Sequence, residues 1–214
     1  MRGERFPIAC VGGLQTKAAV VEAPGGRVSV LGIRLHPVGA YRLFGRRLDA
    51  TTGFTIDLLD LVGPDGPDLA ARCFDAATVE ARFRIVIEWI ERRMARAARP
   101  NAGIAWAVAR LERSSGAVSI GELVNGSNIT PARFISLFTQ HVGLPPKRYG
   151  RLLRFRHALD LLQGDSKLSD VALSAGYYDQ PHLNADFREF AGMTPTAFIN
   201  ARRYPNSSSM QEPG

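Results

Sequence analysis

The sequence predicts a mainly α protein, with a small α+β N-terminal domain followed by an all-α C-terminal domain of two helix-turn-helix units joined by a long helix. Three observations predict it. From about residue 100 onward, apolar residues recur at helical spacing almost without a break. Within that stretch the sequence repeats itself, first at an offset of 48 residues and then of 49. Strand-like alternation is confined to the first 37 residues.

Taken in order, residues 1–37 read as strands and turns. Val28–Leu35 alternates well enough for a partly buried strand, and Pro24-Gly25-Gly26 before it is a turn. Ala18–Glu22 is its candidate hairpin partner. Two or three short strands make no stable sheet uncovered, so this stretch is expected to pack on helices or on another chain. Short helices follow at Val38–Phe44 and Asp57–Leu61; Pro64–Pro67 breaks the chain, and Pro67 is placed to open the next helix. Thr78 starts a long amphipathic helix with Val79, Phe83, Val86, Ile87, Ile90 and Met94 as its apolar face. Arg82, Arg84, Arg92, Arg93, Arg96 and Arg99 occupy the other face, where cations near a helix C-terminus complement the macrodipole. Pro100–Gly103 marks the domain boundary, giving an N-terminal domain 1–99, a helical domain 100–204 and a disordered tail 205–214.

The helical domain opens on the stripe Ile104, Val108 and Leu111, which stops at Ser114-Ser115-Gly116. Five or six helices then run to Arg203. The repeat lies among them. Ile120, Leu123 and Val124 match Leu168, Val171 and Ala172; Phe134, Phe138, Gly143 and Pro146 match Leu183, Phe187, Gly192 and Pro195. Each copy reads as a short helix, a turn, a second helix, then Gly-apolar-x-Pro, which is the helix-turn-helix plan. Asn128 and Gly176 supply the left-handed residue of each turn. Thr130, with Pro131 behind it, and Asp179 are the N-caps of the second helices; Gly143 and Gly192 end them. A single copy is an ordinary helical hairpin, but two in register are hard to obtain by chance. Between them, Leu152, Phe155, Leu159 and Leu162 form the stripe of the connecting helix. Lys147, Arg148, Arg151, Arg154 and Arg156 fall within ten of its residues with no acid among them, a basic edge suited to phosphates.

Composition narrows the chemistry. The 214 residues are 45% apolar and 22% charged, a globular balance. No apolar run reaches 18 residues, and the N-terminus has no signal-peptide core, so no membrane association is expected. Cys10 and Cys73 make no disulfide framework, and His36, His141, His157 and His182 lack ligand spacing; a reduced, cytoplasmic protein without metal is expected. No catalytic cluster or phosphate loop stands out, so neither an enzyme nor a cofactor is expected. The net charge of +7 attracts polyanions, although the scarcity of lysine also fits an arginine-rich proteome.

Residues 102–203 resemble the DNA-binding domain of the AraC/XylS family of bacterial transcription regulators. The likeness is carried by Leu168–Pro195, above all by Ala172-x-x-Ala175-Gly176-Tyr177-x-Asp179-Gln180-x-His182-Leu183 and the closing Gly192-Met193-Thr194-Pro195. Asp186 before Phe187 points to a branch with an uncharacterised N-terminal domain. Residues 8–62 are similar to the end of that domain through Gly32–Pro37 and Asp57–Leu61, and its front part is expected to be shortened here. The resemblance implies double-stranded DNA as partner and a small-molecule effector of unknown identity. A homodimer through the N-terminal domain is expected from the unpaired edge of the strand Val28–Leu35 and the apolar Val20, Val30, Ile33 and Leu35, the alternative being that helix 78–98 covers them. The implied DNA contacts on the first unit's second helix are Ala132, Arg133, Ile135, Ser136 and Gln140, with Thr139 also facing outward. Lys147, Arg148, Arg151 and Arg154 follow on the connecting helix, and Gln180, Pro181, His182, Asn184 and Arg188 on the second unit, with Ala185 beside them. His182 reads equally as a structural hydrogen-bonding residue. This chain departs from the family where arginines are usual, at positions 132, 136 and 185, and Gly126-Ser127 replaces better helix formers. The contact surface is therefore sparse. A regulator that binds DNA is the main expectation; an interaction protein that keeps the fold, binds DNA weakly and acts through a partner regulator is the alternative.

Overall fold

The computed structural model describes residues 7–17, 29–162 and 167–203. Among these, eleven α-helices, one 3-10 turn and one two-stranded sheet are formed. The segment 18–22 and the tail 205–214, for which a strand and disorder are expected, lie outside the described residues.

Two compact units divide the chain. The first contains the described residues up to 15, then 29–108 and 121–146. Its sheet pairs β1 (Cys10–Gly12) with β2 (Thr55–Asp57) in antiparallel register, Val11 opposite Ile56. Residues 29–35 form no strand, and Val30 stands 83% exposed. This corrects the expected strand at Val28–Leu35. Alternation describes a side-chain pattern, whereas a strand forms only where another backbone supplies the ladder, and here β1 and β2 supply it to each other across some forty residues of sequence.

Helix α1 (Pro37–Phe44) starts on Pro37 and ends at Gly45 in the left-handed conformation. A 3-10 turn, Leu48–Ala50, follows. Helix α2 (Leu58–Val62) is capped by Asp57, whose carboxylate accepts from Leu59 N at 2.8 Å. Helix α3 (Asp65–Asp75) already contains Pro67 in its first turn. Helix α4 (Val79–Arg96) begins at the expected cap, with Thr78 Oγ1 accepting from Ala81 N at 3.1 Å. Its buried edge differs from expectation. Val86 and Trp89 enter the core with Leu43, Phe44, Leu48, Leu58, Leu61 and Leu69, while Val79, Phe83 and Ile87 remain exposed. Trp89 presents the largest apolar area on this helix, so it turns the helix about its axis, and the Arg93 guanidinium lies over the Trp89 ring at 5.2 Å.

The same compact unit takes in the first helix-turn-helix. Helix α5 (Ala102–Arg113), which belongs to this unit as far as Val108, buries Ile104, Val108 and Leu111 as its stripe predicts, and Ala107 in addition. Helix α6 (Ile120–Ser127) and helix α7 (Pro131–Val142) meet through Asn128 at φ 56°. Gly126 is required by packing: a Cβ there would overlap the Trp106 indole. The glycine that looks like a poor helix former in the sequence is thus the seat of a tryptophan.

The second unit contains 109–120 and the described residues from 147 onward, with a short piece at 16–17. Helix α8 (Pro146–Leu161) leads to α9 (Leu168–Ser174), α10 (Gln180–Ala191) and α11 (Pro195–Arg203). Phe155, Ala158, Leu162, Val171, Ala172, Leu183, Phe187 and Phe190 form its core, with Phe155 edge-on to Phe187 at 4.9 Å. Gly176 takes φ 80° in the turn.

Candidate nucleic-acid interface

Two outward helix faces and one basic helix edge carry the predicted contacts. On α7, Phe134, Phe138, His141 and Val142 face inward. Phe134 and Phe138 lie a turn apart with rings 5.7 Å from each other. Ala132, Arg133, Ile135 and Ser136 are consequently exposed, with Thr139 and Gln140 half-buried. The helix is entered through Thr130, whose side chain makes no cap bond, so here Pro131 and the extended Thr130 backbone set the start. The C-terminal end of α7 is held by N-terminal residues of its own unit. Tyr41 stacks on the His141 ring at 3.8 Å, and Thr52 Oγ1 donates to Gly143 O at 2.6 Å. A Cβ on Gly143, at φ 95°, would stand 2.8 Å from Thr52 Oγ1. His141 Nδ1 lies 2.8 Å from Leu137 O, and burial pushes the imidazole pKa down, disfavouring its charged form.

The hydrogen-bonding groups of the α7 face are partly engaged within the helix. Gln140 Nε2 donates to Ser136 Oγ at 3.0 Å, and Thr139 Oγ1 to Ile135 O at 2.7 Å. On α10 the arrangement differs. Asp179 Oδ1 accepts from His182 N at 2.8 Å, so the expected cap forms and fixes the first turn. Gln180, Pro181, His182, Ala185 and Arg188 are exposed and Asn184 is half-buried. Among the described residues, the side chains of Gln180, Asn184 and Arg188 make no bond to the rest of the chain, and the His182 ring packs edge-on against Tyr177 at 5.5 Å. The structural role this gives the His182 side chain is ring packing, not the hydrogen bonding expected of it.

The basic edge of α8 is less available than its sequence suggests. Arg151 donates through Nε and Nη2 to Asp186 Oδ1, at 3.1 and 2.5 Å, and through Nη2 to Glu189 Oε2 at 2.5 Å. Asp186 is fully buried and also accepts from the Tyr177 hydroxyl at 3.0 Å. Arg148 reaches Glu189 Oε1 at 3.3 Å, and Arg154 lies over the Tyr177 ring at 5.7 Å. The Asp186 carboxylate beside Arg151 holds its guanidinium in the charged form, while burial and the same carboxylate keep the Tyr177 phenol protonated. Arg148 and Arg151, read from sequence as phosphate ligands, thus tie α8 to α10; Lys147 and Arg156 are the exposed cations of this edge.

Sequence reasoning missed two features here. Asp186 stands three residues after the core Leu183 and next to Phe187, a spacing that puts a carboxylate inside, where it needs a cationic partner. Tyr178, 89% exposed beside the α10 cap, is the second; only its position after the buried Tyr177 hints at it.

The connectivity and turn geometry define residues 120–203 as a double helix-turn-helix. Residues 123–201 match the sequence family described as Helix-turn-helix domain. The transcriptional activator RhaR of Yersinia pseudotuberculosis is 32% identical over 87 residues, which are 40% of this chain and 30% of that protein. An uncharacterized HTH-type transcriptional regulator of Haemophilus influenzae is 27% identical over 92 residues, 42% of this chain and 31% of that protein. The crystal structure of the DNA-binding domain of the transcriptional factor AdpA with a target DNA is similar over 49% of this chain and 96% of that one, at 23% identity and a TM-score of 0.46. The matched segment is a helix-turn-helix domain of the AraC type. The chain spans about 30% of the length of the curated relatives it matches. Among the described residues no helix is long and apolar enough to cross a membrane, and no three His, Cys, Asp or Glu side chains gather as for a metal ion.

Proposed function

We propose that this protein is a sequence-specific, DNA-binding transcription regulator acting in the cytoplasm, with residues 100–204 as its DNA-binding part and 1–99 as its regulatory part. The observation that carries the reading is α10, a capped recognition helix that presents Gln180, His182, Asn184 and Arg188 outward from a helix-turn-helix of the AraC type. Gln180 suits adenine, and the other three reach bases or phosphates. Lys147 adds a backbone contact. A mobility-shift titration against fragmented genomic DNA tests the reading. A saturable subset of fragments should be retained near physiological salt, and purely salt-sensitive, unsaturable binding would refute it.

The weakly charged outward face of α7, with Arg133 as its one cation, favours a second reading: an interaction protein that binds DNA weakly and acts through a partner regulator. That reading predicts no saturable fragment without the partner.

Homodimerisation and control by an effector belong to the same proposal. The exposed Val79, Phe83 and Ile87, one helical turn apart on α4, give a second copy an apolar face to cover. Light scattering should report a dimer that Phe83→Glu dissociates; a wild-type monomer at micromolar concentration sinks this part. A small-molecule effector would find an open groove of about 660 Å³ beside Trp89, lined by Arg42, Arg92, Arg93 and Arg96 and by Asp65 and Asp68.

A further inference from the structure

The two recognition helices differ in what they offer a base pair. On α10, Gln180 and Asn184 keep amide donors and acceptors unengaged among the described residues. On α7 the polar groups are turned on the helix itself, with Ser136 accepting from Gln140 and Thr139 donating to Ile135 O. What remains outward besides Arg133 and Ser136 is the Ala132 methyl and the Ile135 side chain, 46% exposed, at a spacing of three residues. Both therefore lie along one face.

An exposed isoleucine is a poor choice for helix propensity alone, since its branched side chain loses rotamer freedom there. The same stiffness holds its methyl groups in one place, as a reading element needs. In the major groove only one base edge matches such a surface: thymine, through its 5-methyl group. Arg133, exposed beside it, supplies the cation that holds a phosphate backbone near.

We propose that Ile135, with Ala132 next to it, reads thymine 5-methyl groups in the half-site bound by the first helix-turn-helix. That half-site is then selected by apolar contact, and the second by hydrogen bonds from α10. The inference rests on the DNA-binding reading and gives it a specificity determinant.

Uracil provides the test, because it keeps every hydrogen-bonding edge of thymine and lacks only the methyl. Duplexes are first selected from a random pool with the full chain, and each thymine of the selected site is then replaced singly by uracil. Burial of one methyl-sized group predicts roughly a three- to five-fold weakening at one or two positions. Ile135→Ala should bind the thymine and uracil forms of those positions equally, with an unchanged thermal unfolding curve. Gln180→Ala should bind more weakly yet keep the uracil penalty. Ile135→Gln should move the preference at the same position from thymine toward adenine. A uracil penalty that persists in Ile135→Ala, or no penalty in the wild type, overturns the inference while leaving the DNA-binding reading intact. If no duplex is enriched at any salt, that reading falls and takes the inference with it.

Discussion

Replacing Arg151 by Ala separates a fold contact from a phosphate contact. In the native structure Asp186 is fully buried and receives two bonds from Arg151 and one from Tyr177. The variant leaves that carboxylate with the phenol alone. Removing one partner of a buried ion pair costs about 3–5 kcal/mol. The Arg151 side chain is 29% exposed, so water replaces part of its field and the cost falls to the lower end of that range or just below it. We expect a loss of about 2–3 kcal/mol, and a melting temperature lower by roughly 4–12 °C for a chain of this size. Tyr177→Phe, which removes one bond to a charged acceptor, should cost about 1.5–3 kcal/mol. A double-mutant cycle of Arg151→Ala with Asp186→Ala, followed by urea denaturation, should give a coupling of about 1–3 kcal/mol. Salt titrations of DNA binding supply the second axis. The slope of log affinity against log salt should stay at its wild-type value in Arg151→Ala, whereas each lost phosphate contact lowers it by about one. A stable Arg151→Ala variant with that lower slope would refute the reasoning and return Arg151 to the DNA backbone.

Lys147→Ala should weaken binding to all sequences alike and lower the salt slope by about one, whereas Gln180→Ala should cost about 1–3 kcal/mol on the preferred site only; competitive mobility shifts distinguish the two. Gly126→Val should destabilise the protein by about 1–3 kcal/mol, because its side chain enters the Trp106 ring, and Trp106→Leu in the same chain should restore part of that in thermal melts. The buried His141 has a folded-state pKa below its unfolded one, so its contribution to stability is complete above pH 6.5 and is lost as pH falls through the folded pKa. Urea melts at pH 7.5 and 5.5 should show that loss, and His141→Gln should remove it.

What the sequence disclosed was local chemistry. Asn128 and Gly176 at positive φ, the Asp179 cap and the glycines ending α7 and α10 each follow from one residue's own conformational preference, and each stands where its residue type requires. Partners far along the chain left weaker traces. The Arg151–Asp186 bridge joins residues 35 apart, and a run of arginines on a helix looks the same whether it faces phosphates or a buried acid. Only part of the stripe on α4 turns inward, for a related reason: Val86, Ile90 and Met94 pack on the core as expected. Val79, Phe83 and Ile87 have helical spacing, but Trp89 offers more area to the core and decides which edge enters it. Alternation at Val28–Leu35 likewise contained no information on whether a neighbouring strand was within reach.

The seat of α7 bears on how this protein can be taken apart. Pro100 looks like the place to cut if the helical part is wanted alone. Such a cut removes Tyr41 from the face of His141 and Thr52 from the carbonyl of Gly143, both at the end of the helix that would carry the first half-site. The trimmed fragment then shows water an imidazole face and a carbonyl that are buried in the whole chain. Expressed by itself, such a piece should be sticky and frayed at that helix, and weak DNA binding by it would report the surgery rather than the intact chain.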